Sequence, residues 1–184
     1  MRHKVKKSPT RAGIAVSAAA LAAAGAGLLG AVSAGPAAAA PGGPESKATT
    51  TTHHLAIDSA VDAARAALDA AEKEGQRVTV AVVDRNGNTI VTLRGDGAGP
   101  QSYESAVRKA YTSVAWNAPT SRLAERLKSA PNLKDIPNTL FLAGGAPVTH
   151  GNAPIAGIGV AGAPSGDLDE KFAQAGVAAI GGGR

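Results

Sequence analysis

Between Gln101 and Trp116 the chain carries Ser105, Arg108, Lys109, Thr112 and Trp116 at i, i+3, i+4, i+7 and i+11, a spacing that puts all five on one side of an α-helix. Two cations can hold an anion, the hydroxyls can offer hydrogen bonds or a weak oxygen ligand, and the only tryptophan can stack on a flat ring. The same spacing also describes an ordinary solvated helix face, and residue types alone leave both readings open. Other reactive residues are sparser. His53 and His54 adjoin, so they cannot share a helix face as an H-x-x-x-H metal pair does, and His150 precedes Gly151, where a turn explains it as well as a ligand role. Asp84 and Asp96 bracket a hairpin and suit turn capping as readily as acid chemistry. No G-x-S-x-G is present, His53, His54 and His150 form no triad by spacing, and no catalytic residue is assigned. Cysteine is absent and methionine occurs only at position 1, which removes thiolate and thioether ligands; any bound iron must be held by histidine, tyrosine, carboxylate, lysine or hydroxyl.

These residues need a scaffold, and the pattern supplies one. Ile57, Ala60, Val61, Ala64, Leu68 and Ala71 follow helical spacing, with Asp58 and Asp62 early and Lys73 late, and Gly75 as the stop. Arg77 to Asp84 reads as a buried strand, Asp84 to Asn88 as a hairpin turn with Asn86-Gly87 at its tip, and Thr89 to Arg94 as the returning strand. Gly95 to Pro100 is a glycine-rich loop that lacks the P-loop ending and the G-x-G-x-x-G fingerprint, so it carries no nucleotide signature. It leads into the central helix, whose core-facing stripe is read as Tyr103, Ala106, Val107, Ala110 and Val114. Pro119 breaks that helix, and a short one follows over Ser121 to Ser129. Three strands are then expected at Thr139–Ala143, Pro147–His150 and Ala153–Ala161. Glycines 157 and 159 leave one face of the last strand bare, inviting a helix to lie close. A final helix starts at Ser165 with Leu168, Phe172, Ala175 and Ala179 facing inward. Hairpin-sized connections make the sheet antiparallel, so the expected fold is α+β: five strands packed with helices in the order α-β-β-α-α-β-β-β-α.

The first 39 residues stand apart. Arg2, Lys4, Lys6, Lys7 and Arg11 precede a small-and-apolar run to Ala34, and Ala37 and Ala39 meet the A-x-A cleavage pattern of a secretory signal, which predicts export to the extracellular side without stable membrane insertion. Both the general and the twin-arginine export routes fit. That segment holds five of the nineteen Lys and Arg and none of the fourteen Asp and Glu, leaving fourteen of each in the remainder. The basic balance thus belongs to the leader, and a nucleic-acid-binding reading loses its support. Residues 40–53 read as a flexible leader and residues 54–184 as one domain.

Five pieces in order, Val83-Asp84-Arg85-Asn86-Gly87, Asp96-Gly97-Ala98, Lys109-Ala110-Tyr111-Thr112-Ser113, Gly144-Gly145-Ala146-Pro147-Val148 and Gly157 to Gly162, resemble the GlcG/HbpS-like family of haem-binding proteins. The resemblance implies a five-stranded antiparallel sheet with helices, a homo-oligomer, and haem as cofactor near subunit contacts. It also implies extracellular haem or iron handling, redox sensing through a membrane sensor histidine kinase as partner, and breakdown of haem by peroxide-coupled oxidation without a dedicated active site. The family's haem-contacting threonine falls on Thr112. Arg108 and Lys109 then serve the propionates, Trp116 the ring, and Tyr111 and Ser113 flank the site; Ser113 stands where the family usually has alanine, which leaves open which hydroxyl faces iron. A second iron ligand is expected from the leader, His54, or from water. The same family includes domains attached to cobalamin enzymes and proteins of small-acid utilisation. An interaction module for a sensor kinase and a binder of hydroxy acids or corrinoids are therefore the alternatives.

Overall fold

The computed structural model describes residues 48–181. The export segment of the sequence reading lies outside them. Among the described residues no helix is long and apolar enough to cross a membrane.

Helix α1 spans Ile57–Lys73, followed by strands β1 (Thr79–Asp84) and β2 (Thr89–Arg94), helix α2 (Gln101–Trp116), a short α3 (Thr120–Arg126) and a 3-10 turn over Pro131–Asp135. Strands β3 (Gly145–His150) and β4 (Ala153–Ala161) and helix α4 (Gly166–Gly181) complete the order. The sheet is antiparallel with strand order β2-β1-β4-β3, so it has four strands and not the five expected. The missing one is Thr139–Ala143. Its backbone groups are claimed by α2 side chains: Arg108 Nη2 donates to the Thr139 carbonyl at 2.8 Å, and the Leu140 N–H donates to Thr112 Oγ1 at 2.7 Å. With those groups taken, the segment runs as a strap beside the helix, and β3 instead starts at Gly145, earlier than predicted.

Helices α1 and α4 cover one face of the sheet and α2 the other. Strand β1 is buried on both faces. Val80 and Val82 join the main core with Ile158, Val160 and Phe172, while Ala81 and Val83 pack under α2 with Ala106, Ala110 and Val114. On α1 the buried residues are Ala60, Ala63, Ala64, Ala67, Leu68 and Ala71, whereas Ile57 and Val61, placed inward by the pattern, are exposed. Alanine wins that face because α4 approaches closely there: a methyl group at Gly176 would lie 2.7 Å from the Ala63 carbonyl oxygen.

The bare face of β4 does receive a helix. A Cβ at Gly157 would fall on the carbonyl oxygen of Ala110, and one at Gly159 on that of Ala106. Gly145 of the neighbouring β3 is in the same position against the Lys109 carbonyl. Three glycines thus let α2 settle directly onto β3 and β4. In the β1–β2 hairpin Gly87 takes φ +90°, whereas Asn86 does not take a positive φ. A register shift between Val82 and Val83 absorbs the extra residue. Strand β3 lies at one edge of the sheet and carries Pro147.

Candidate functional site

Helix α2 presents three faces where the sequence suggested two. Ala106, Ala110 and Val114 face the sheet as expected, while Tyr103, read as core, is 52% exposed. The stripe read as open is largely closed. Lys109 is buried: its Nζ donates to Asp169 Oδ2 at 2.7 Å and to the Val160 carbonyl at 3.0 Å. Burial pushes the Asp169 carboxyl up from its usual range, against the pull of the Lys109 ammonium and of the Ala163 N–H that donates to its Oδ1. Thr112 is fully buried as well. Its Oγ1 donates to the Arg108 carbonyl at 2.7 Å while accepting from Leu140. Ser113, also buried, donates to the Ala110 carbonyl at 2.8 Å beside Gly157.

The third face is a cleft. Glu104, Val107, Arg108 and Tyr111, spaced i, i+3, i+4 and i+7, line a cavity of about 590 Å³ closed by Gly87 of the hairpin and Asn138 of the strap. The Tyr111 ring lies against Gly87, where a Cβ would come within 2.7 Å of its Cε2. Asn138 is held at φ +64°, a conformation asparagine tolerates better than most residues, which helps turn the strap alongside the helix. Arg108 is half-buried and 3.7 Å from the Glu104 carboxylate. The cleft therefore offers a phenol ring, an aliphatic wall and a guanidinium beside a carboxylate.

Of the predicted residues, the structure brings Arg108 and Tyr111 together in this cleft and turns Lys109, Thr112 and Ser113 inward. Trp116 sits at the helix end with its ring edge-to-face on Phe141 at 5.2 Å, which anchors the strap. His54 lies elsewhere, with Nε2 3.0 Å from Thr52 Oγ1, and its charge acts on Asp84. Asp84 is partly desolvated by burial, which pushes its carboxyl up. The Asn88 side chain, the backbone N–H groups of Asn88 and Asn86, and the His54 charge outweigh that, and hold it below the usual carboxylate range. The residues that sequence reasoning missed are Gly87, Glu104, Val107 and Asn138. The i, i+3, i+4, i+7 run from Glu104 to Tyr111 was there to be found, hidden between the two stripes of sharper contrast.

A family profile described as haem degrading protein HbpS-like matches residues 55–178. The crystal structure of a double-mutant form of Streptomyces reticuli HbpS is 68% identical, covering 78% of this chain and 98% of that one, with a TM-score of 0.73. A crystallised PduOC:haem complex is 28% identical over 70% of this chain and 96% of that one, with a TM-score of 0.64. The corrinoid adenosyltransferase PduO of Salmonella typhimurium is 32% identical over 142 residues, which is 74% of this chain but 42% of that protein. The chain thus spans about two fifths of the length of this curated relative.

Proposed function

The chain belongs to the HbpS-like family of haem-degrading proteins, and from that premise we propose that it is an exported protein that binds haem in the cleft beside α2. Three things support the reading: the 68% identity to HbpS, the haem complex formed by PduOC, and the fit of the cleft to the ligand's chemistry. Haem is an apolar disc with two carboxylates, and the observation that carries the proposal is the stripe of Val107, Arg108 and Tyr111 along one cavity. Val107 and Tyr111 give the disc apolar contact, and Arg108 gives a propionate a charged fork.

An oxygen ligand for the iron would fit less well. Thr112 Oγ1 keeps one lone pair beyond its two hydrogen bonds, but it is buried beneath the strap. Contact between Thr112 and iron would need the strap to move aside, and a neutral hydroxyl is a weak ligand beside histidine or tyrosine. Binding is therefore loose and reversible, and with His54 placed elsewhere, water would supply the second ligand. Lys109 and Ser113 support the helix from behind, and Trp116 holds the strap through Phe141. Bound haem would supply the iron for peroxide-coupled ring oxidation; the chain's own part is to bind and orient it. In this reading the protein acts outside the cell as a homo-oligomer, in haem and iron handling and oxidative-stress sensing, with the ectodomain of a membrane sensor kinase as partner. The basic-then-apolar segment at residues 1–39 supports the export.

Hemin titration of the full chain, followed by the Soret band, tests the site. Arg108→Ala is expected to weaken binding about tenfold, the scale of one lost charge-assisted contact. Thr112→Ala is expected to shift or weaken the band. Wild-type titration curves for both variants would move haem off this helix. The similarity to PduO favours one second reading, binding of a corrinoid, which predicts saturable cobalamin binding to the haem-free chain that Arg108→Ala weakens.

A further inference from the structure

We propose that His53 and His150 form a two-imidazole site for a divalent transition-metal ion of the copper, nickel and zinc class, separate from the cleft beside α2. The two residues come from remote parts of the chain. His53 lies in the irregular stretch before α1, and His150 ends β3 at the turn into β4. Their rings nevertheless meet, with centroids 4.3 Å apart and planes inclined by 39°. Both are exposed, and neither ring nitrogen has a hydrogen-bond partner among the described residues. Two neutral imidazoles so placed hold two lone pairs within a side-chain rotation of a shared ion, and imidazole is a preferred ligand for these metals.

The adjacent His54 takes no part. Its Nε2 meets Thr52 Oγ1, and its charge acts on Asp84. Among the described residues no group of three or more His, Asp or Glu converges, so water completes the coordination shell and the ion exchanges freely. Metal there would pin the segment leading into α1 onto the β3–β4 turn. Beside it lies a pocket of about 400 Å³ lined by Leu55, Val148, Ile155 and Val177.

The test is calorimetric titration of the untagged, haem-free full chain with Cu²⁺, Ni²⁺ and Zn²⁺, paired with thermal unfolding in the same solutions. The expected result is saturable binding of one ion per chain and a rise in Tm, since an ion that binds only the folded state stabilises it by mass action. His53→Ala and His150→Ala should each weaken binding about tenfold or more and abolish the Tm rise, while His54→Ala should leave both in place. All the chains titrated carry His3→Ala, so that no ion held at His3 enters the comparison. Wild-type affinity in either His53→Ala or His150→Ala overturns the proposal, as does an equal loss in His54→Ala. Because no haem is present, such a failure leaves the haem reading standing.

Discussion

Strand β4 sends Ala156, Ile158 and Val160 toward α1 and α4, and Gly157, Gly159 and Ala161 toward α2. The first face closes by apolar burial, through Phe172, Leu68 and a row of alanines, with one exposed ion pair, Lys171 to Glu74, joining its two helices. The second closes by backbone contact and by polar groups that each need a particular partner. Lys109 meets Asp169. Thr79 Oγ1 and Ser102 Oγ lie 2.7 Å apart, and Thr120 Oγ1 accepts from the Gly145 N–H at 2.7 Å. The Glu170 carboxylate accepts from the Ser121 N–H at 2.9 Å and its hydroxyl at 2.6 Å. Apolar burial is non-directional and adapts to small shifts, whereas a satisfied buried polar network fixes one arrangement. The face that fixes the position of α2 is the one that places Arg108 and Tyr111, so the molecule keeps its geometric precision beneath its candidate site.

The sharpest way to break this contrast is to strand one buried charge. Lys109→Met leaves Asp169 unpaired and should cost about 3–5 kcal/mol, measured by urea denaturation, with Asp169→Leu in the same chain recovering most of it. A smaller effect compares two neighbours on β4. Gly159→Ala adds one methyl against the Ala106 carbonyl and should cost about 3 kcal/mol, while Ile158→Val deletes a methylene on the opposite face for about 1 kcal/mol. Equal losses would mean that both faces adapt alike. The smallest effect lies outside both faces, at the hairpin. The folded-state pKa of Asp84 is lowered from 3.8, so its contribution is present above that value and lost as pH falls through the lowered one. Asp84→Asn should therefore be less stable than wild type at pH 7, with the gap in urea midpoint narrowing below about pH 4. A gap that stays constant across this range would remove the carboxylate from the turn's energetics.

Most of the scaffold could be read from local pattern. The helices, the first hairpin and β4 fall close to where periodicity and turn residues put them, and the paired glycines of β4 announced the helix that lies on them. What could not be read depends on partners remote in sequence. The burial of Lys109 requires Asp169 from the start of α4, and nothing near Lys109 signals it. Thr139–Ala143 has the composition of a strand, but Arg108 and Thr112 use its backbone groups first. Ile57 and Val61 outweigh alanine in any pattern of apolar size, yet α4 comes too near for anything larger than alanine at Ala63 and Ala67 on the inner side of α1. The candidate cleft was half legible: Arg108 and Tyr111 were named, but Asn138 and Gly87 enter it only through the strap and the hairpin.

Pro147 gives one end of the sheet a chemical guard. A polypeptide rim normally displays alternating amide donors and carbonyls that a stray extended chain can copy, and a proline deletes one donor from that template. Together with the irregularity at Val148 and Thr149, it makes this rim a poor seed for uncontrolled fibrous stacking.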